Sequence, residues 1–183
     1  MAEVCGGDFN DWSSVLYCID PNHWAYLGIA MAMGVSVVGA AWGIHIIGAS
    51  LVSAAVKTPR VKTKNLVSVV LSEAVAIYGV ILAIMLAQKM QGDASVWKTD
   101  QDKWNQALFA GYAIFWTGFC VGVSNLVCGM CVGVSGSGLV LADAQDSSSF
   151  IKNLVIEIFG SAIGLFGLIV GILMQASAQF PNK

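Results

Sequence analysis

Charge is scarce in this chain. Of its 183 residues only 11% are Asp, Glu, Lys or Arg, against 57% hydrophobic. The mean hydropathy of +0.74 lies outside what an ordinary soluble domain of this size shows, so the chain is read as a membrane protein. Period-two alternation is missing from the apolar runs, which argues against a β-barrel. No G-x-x-x-x-G-K-[ST] phosphate loop occurs, so the chain offers no nucleotide-hydrolysing site of that kind. Residues 1–22 hold no Lys or Arg. The start "MAEVCGGDFNDWSSVLYCIDPNHW" therefore lacks the basic region of a secretory signal, and its apolar piece from Val15 to Ile19 is too short to cross a bilayer. It reads as a polar flank or a short surface helix, with no further span before residue 23.

The few charges sit in blocks. Glu3, Asp8, Asp11 and Asp20 make the first flank acidic, and Lys57, Arg60, Lys62 and Lys64 crowd one short loop. Segment 89–103 is balanced, segment 142–152 holds Asp143, Asp146 and Lys152, and Lys183 lies at the end. The net charge of −2 is then supplied by Glu73 and Glu157, read as the two charged residues inside apolar stretches.

Four stretches exceed the roughly 18 apolar residues that a hydrocarbon core of about 30 Å demands. They run approximately 24–55, 65–88, 106–141 and 151–176, and predict an all-α membrane protein of four transmembrane helices. The expected organisation is a flank at 1–22, a first helical hairpin at 23–88, a connecting loop at 89–105, a second hairpin at 106–178 and a tail at 179–183. The tight basic cluster places loops 56–64 and 142–152 in the cytosol and both termini on the lumenal side.

Shifting the chain by 88 residues without a gap superposes Gly34 on Gly122, Ser36 on Ser124, Gly48 on Gly136, Leu51 on Leu139 and "KNLV" at 64–67 on "KNLV" at 152–155. The chain reads as a duplicated hairpin whose two copies run in the same direction. In this register Glu73 meets Ser161, and Glu157 meets Val69, one turn away. Glycine stripes mark the first, third and fourth spans. Small residues let backbones approach where lipid removes the hydrophobic drive between helices. The first and third spans are expected on the crowded inner side of an assembly, and the second and fourth, with the carboxylates, in a lipid-facing layer.

These residues carry a resemblance. The duplicated hairpins, "GAAWGIHIIGASLVSAAVKTPRVKTKNLVSVVLSEAVAIYGVI" and "LVIEIFGSAIGLFGLIVGI" resemble the proteolipid subunits of V-type ATPases, specifically the c-double-prime type, over about residues 23–178. The resemblance implies a ring subunit in which Glu73 is the proton carrier, while the ordinary proteolipid's carboxylate position is filled here by Ser161. It also implies a hetero-oligomeric ring with other c-type proteolipids, a stator subunit of the a type whose arginine favours the ionised carboxylate, a central-stalk subunit of the d type, and a vacuolar or endomembrane location. ATP hydrolysis belongs to partner subunits. A further N-terminal span that some members carry has no counterpart in the short flank.

Other residues are weighed against plainer roles. Glu157 is expected to make an accessory hydrogen bond or a water-exposed contact near a membrane end rather than to carry protons. Tyr78, roughly 140° around the helix from Glu73, suits a neighbouring helix or subunit better than capping its own carboxylate. Ser72 and Ser161 are expected to bond locally to backbone. "CGMC" at 128–131 has no second Cys/His pair for a metal, and no cofactor, metal or nucleic acid is expected. Cys5 and Cys18 are a conceivable disulfide on the non-cytosolic side. His45 reads as a packed interfacial residue, and His23 beside Trp24 as a headgroup anchor.

Three function classes fit unequally. A rotary proton-carrying subunit fits Glu73 and the parallel duplication. A self-contained proton-coupled carrier calls for several polar groups facing a cavity and usually for inverted repeats. A structural four-helix protein leaves an intramembrane glutamate unexplained. Sodium needs several oxygen ligands, and few surround Glu73, so protons are the expected ion.

Overall fold

The computed structural model describes residues 11–90, 92, 94–98 and 100–181. Cys5 lies outside them, while Cys18 is disulfide-bonded. The described residues are almost entirely helical: α1 (Trp12–Cys18), α2 (Pro21–Lys57), α3 (Val61–Lys64), α4 (Leu66–Lys89), α5 (Ala94–Lys98), α6 (Gln101–Gln145) and α7 (Phe150–Met174). Of these, α2, α4, α6 and α7 are long and apolar enough to cross a membrane.

Local chemistry sets the helix limits. Asp20 accepts the Asn22 N–H at 3.0 Å ahead of Pro21, combining a favoured N-cap with proline at the first helical position. Asp100 caps α6 through the Asp102 N–H at 3.1 Å. The Thr58 hydroxyl donates to the Ala54 carbonyl at 3.0 Å, just before Pro59 closes off α2. Asp146 takes both the Ser148 N–H (2.9 Å) and hydroxyl (2.6 Å) to start the Ser147–Ser149 turn.

Two long helices exceed their expected spans. At about 1.5 Å per residue, the 45-residue α6 is about twice as long as a hydrocarbon core of about 30 Å requires. Its start, together with α5, converts much of the expected 89–105 loop into helix. Trp97 is buried against Phe180 with ring centroids 5.4 Å apart, so residues 178–181 fold back onto that connection instead of forming a free tail. At the other end α6 runs to Gln145, placing Asp143 inside a helix where the sequence suggested a loop.

The two hairpins stand side by side in the same direction. Tyr17 pairs with Asn105, Ser36 with Asn125, Ser50 with Ser137 and Ser68 with Glu157, at separations of 88, 89, 87 and 89 residues. A gapless duplication shifted by 88 requires such pairings when both copies share one orientation. The closest helix pair is α2 and α6, joined backbone to backbone by glycines. A Cβ added at Gly39 would lie 2.6 Å from the Leu126 Cα, and one at Gly133 would lie 2.7 Å from the Gly43 Cα. At Gly118 it would overlap the Gly28 carbonyl. Helix α4 packs on α2, and α7 packs on α6.

Replacing Gly118 by Leu is expected to separate α2 from α6, with a loss of about 1–3 kcal/mol or more from overpacking. Gly138→Ala meets nothing within 4 Å and should leave the fold unchanged. Thermal denaturation of the purified variants is the check; equal midpoints would refute the glycine seam.

Candidate functional site

Helix α4 presents one buried stripe. Ser68, Ser72, Val75, Gly79, Leu82 and Leu86 recur at helical spacing and face the bundle. Gly79 sits directly on Ser36 of α2. Ser72 donates to the Ala40 carbonyl of α2 at 3.2 Å, so it bonds across helices and not to its own backbone as expected. Among the residues that meet α7 are Ser68, through Glu157, and Leu82, whose Cδ atoms approach Gly171.

Glu73 follows Ser72 by about 100° and stands about 140° from Ser68 and 180° from Leu82. It is exposed, on the flank of α4 turned away from α7. At seven residues past Leu66 it lies about 10 Å along the helix from its start. Tyr78 is half-buried and packs on the cluster containing Ala32, Leu82 and Leu168.

The second carboxylate has a different setting. Glu157 is fully buried, which overturns a water-exposed contact and keeps the hydrogen bond: Ser68 Oγ donates to Oε2 at 2.7 Å. Its Oε1 has no partner among the described residues and lies against Gly136, where a Cβ would stand 2.8 Å away. Ser161, the repeat counterpart of Glu73, is 8% exposed and donates to the Ile158 carbonyl at 2.8 Å. The matched positions therefore occupy unlike environments.

Sequence reasoning missed a polar cluster at the loop end. Asp143 is buried in α6 and meets Arg60 at 3.6 Å. Arg60 also donates to its carbonyl at 2.9 Å, and Asn65 Nδ2 donates to Oδ2 at 3.2 Å. A hint lay in the basic crowd at 57–64 facing the only acidic residues of 142–152. Asn125, buried and donating to Ser36 Oγ at 2.9 Å, was equally unnoticed. Cys128 is buried with Sγ 3.4 Å from the Gly160 carbonyl, while Cys131 is exposed. His45 and His23 are both exposed; His45 is therefore not packed within the chain, and Trp24 meets Tyr112 at a tilt and Phe115 edge-on.

Four parallel-repeat helices with one glutamate facing outward define a membrane proteolipid, and known proteins of similar sequence agree. The family model for the ATP synthase C subunit matches residues 27–86 and 115–174, two copies in the same 88-residue register. The V-type proton ATPase c''1 subunit of Arabidopsis thaliana is 54% identical over 98% of each chain. The c'' subunit of Saccharomyces cerevisiae is 48% identical over 95% of this chain and 79% of its own. The human V-type proton ATPase 16 kDa proteolipid, of the c type, is 30% identical over 84% of this chain and 92% of its own. The chain belongs to the ATP synthase C-subunit family and, within it, to the c''-type subunits of V-type proton ATPases.

Ser68→Ala leaves a buried carboxyl without its donor and should cost about 1–3 kcal/mol. Combined with Glu157→Leu, which removes the other partner, most of the Ser68 penalty should vanish. A double-mutant cycle on thermal stability measures this; additive penalties would mean that the pair does not interact.

Proposed function

We propose that this chain carries protons in the rotating membrane ring of a V-type proton ATPase, with Glu73 as the reversibly protonated group. The observation that carries the residue assignment is placement: Glu73 is within a span, exposed and aimed away from its own α7, whereas Glu157 is sealed inside the bundle. A neutral glutamic acid passes through hydrocarbon as the ring turns, but an ionised one costs at least several kcal/mol there. Deprotonation then belongs where an opposite charge waits, at the arginine of the a-type stator subunit. Two half-channels beside that arginine give separate routes, loading from the cytosol and release to the lumen.

Moving one charge against 100 mV requires about 2.3 kcal/mol. ATP hydrolysis in partner subunits supplies it, passed through the central stalk and its d-type subunit. Helices α2 and α6 form the inner layer, and α4 and α7 face lipid. Other c-type proteolipids of the hetero-oligomeric ring pack beside the chain and leave Glu73 open to lipid. Loops 56–64 and 142–152 face the cytosol and the termini face the lumen of a vacuolar or endomembrane compartment; the disulfide at Cys18 supports an oxidising setting for the first flank. Glu157 cannot reach lipid or stator without unpacking α7 from α4, so its role is structural.

Glu73→Gln keeps shape and hydrogen-bonding capacity but cannot release a proton. Assembly should survive and ATP-driven vesicle acidification should fall to background, whereas Glu157→Gln retains substantial pumping. Equal loss in both variants would sink the division of roles. A hydrophobic carbodiimide, which reacts with protonated carboxyls from the lipid phase, should modify Glu73 near neutral pH and stop transport. Peptide mass spectrometry reads the adduct; modification confined to Glu157 would overturn the assignment.

A further inference from the structure

The loop-end starts of α4 and α7 border a feature that proton carriage does not use. The α3–α4 corner and the Ser147–Ser149 turn enclose an open cavity of about 510 Å³. Its lining divides by chemistry. Thr63, Lys64 and Ser147 bring an ammonium group and two hydroxyls, while Val67, Phe150 and Ile151 supply apolar surface from the first turns of the two spans. Lys64 Nζ lies 5.9 Å from the centre of the Phe150 ring, which ties the polar and apolar parts together. Ser148 also borders the cavity, but its hydroxyl and N–H both serve Asp146.

Depth and charge select the guest. Because α4 begins at Leu66 and α7 at Phe150, the cavity sits where apolar helix meets headgroup. A guest there needs an anionic head and an apolar body. Lys57, Lys64 and Lys152 are exposed at this end, while Arg60 is engaged by Asp143. The opposing charge is Asp146, whose bonds from the Ser148 hydroxyl and then its N–H hold the carboxyl below the usual range. It stays ionised at neutral pH, and the cations still outnumber it. A free phosphate gains from Lys64 but leaves Val67, Phe150 and Ile151 wet.

We propose that this cavity binds the headgroup of an anionic glycerophospholipid, with the adjoining acyl chain lying on Val67 and Ile151. The inference rests on α4 and α7 facing lipid, as in the ring arrangement above, and not on Glu73 carrying protons. Juxtamembrane cations of this kind favour anionic lipid by electrostatic attraction, and the apolar lining adds the requirement for an acyl chain.

The test uses the intact complex containing this chain, reconstituted in phosphatidylcholine vesicles with a trace of photoactivatable phosphatidylinositol or of phosphatidylcholine carrying the same acyl chain. Mass spectrometry should map phosphatidylinositol adducts to residues 63–67 and 147–151, with about fivefold fewer in Lys64→Gln, the contribution of one cation near an anionic surface. The phosphatidylcholine probe should label these segments weakly and equally in both proteins, and excess soluble glycerophosphoinositol should not compete. Equal labelling by the two lipids, indifference to Lys64→Gln, displacement by the soluble headgroup, or segments unlabelled because a protein partner covers them would each overturn the proposal. Glu73→Gln complexes should label like the unmodified protein, so the outcome stands apart from the transport assay.

Discussion

The direct contact of α2 and α6 through paired glycines is the constraint on which the other features depend. Lipid provides no hydrophobic drive for helices to associate, so dispersion at short range must hold them. Short range is available only where side chains are absent, as at Gly28 against Gly118 and Gly43 against Gly133. Once that seam is closed, α4 lies on α2 and α7 on α6. The direction of every polar residue on α4 and α7 then follows from its angular position.

That geometry separates two chemically identical side chains. Glu157 points into the seam between α7 and α4, accepts from Ser68 and rests against a glycine; a charge there would lack a counterion. Glu73 points outward from the opposite side of α4. Burial fixes the surroundings of the first, whereas the second stands on the surface of the bundle. The loop end uses a third arrangement, in which Arg60 forms an ion pair with the buried Asp143 and Asn65 donates to its Oδ2, anchoring the α3 corner to the end of α6.

Legibility in the sequence varied with the physics behind each feature. Hydropathy reports transfer into lipid residue by residue, so four spans were visible without any partner. The 88-residue repeat was likewise visible and predicted the parallel pairing that Ser36–Asn125 and Ser50–Ser137 display. Span ends were less readable, because Gln101, Trp104, Asp143 and Gln145 are too polar or too mixed to register as membrane helix, yet helix continues through them once neighbours bury Trp104 and Asp143. Composition did not reveal the fold-back of Phe180 onto Trp97, since five residues after a long helix carry no period.

Sequence alone determined the membrane class, the count of four spans, the parallel duplication and the glycine stripes, because each follows from transfer energy, periodicity or side-chain size along the chain. Only the tertiary structure decided which glutamate is sealed and which is open. The rotation of a helix about its own axis is set by what packs against it, and Glu73 and Glu157 lie on helices whose apolar residues run almost all the way round. Hydrophobicity therefore marked no preferred face, and contacts with Ser68, Gly136 and Gly79 had to supply it.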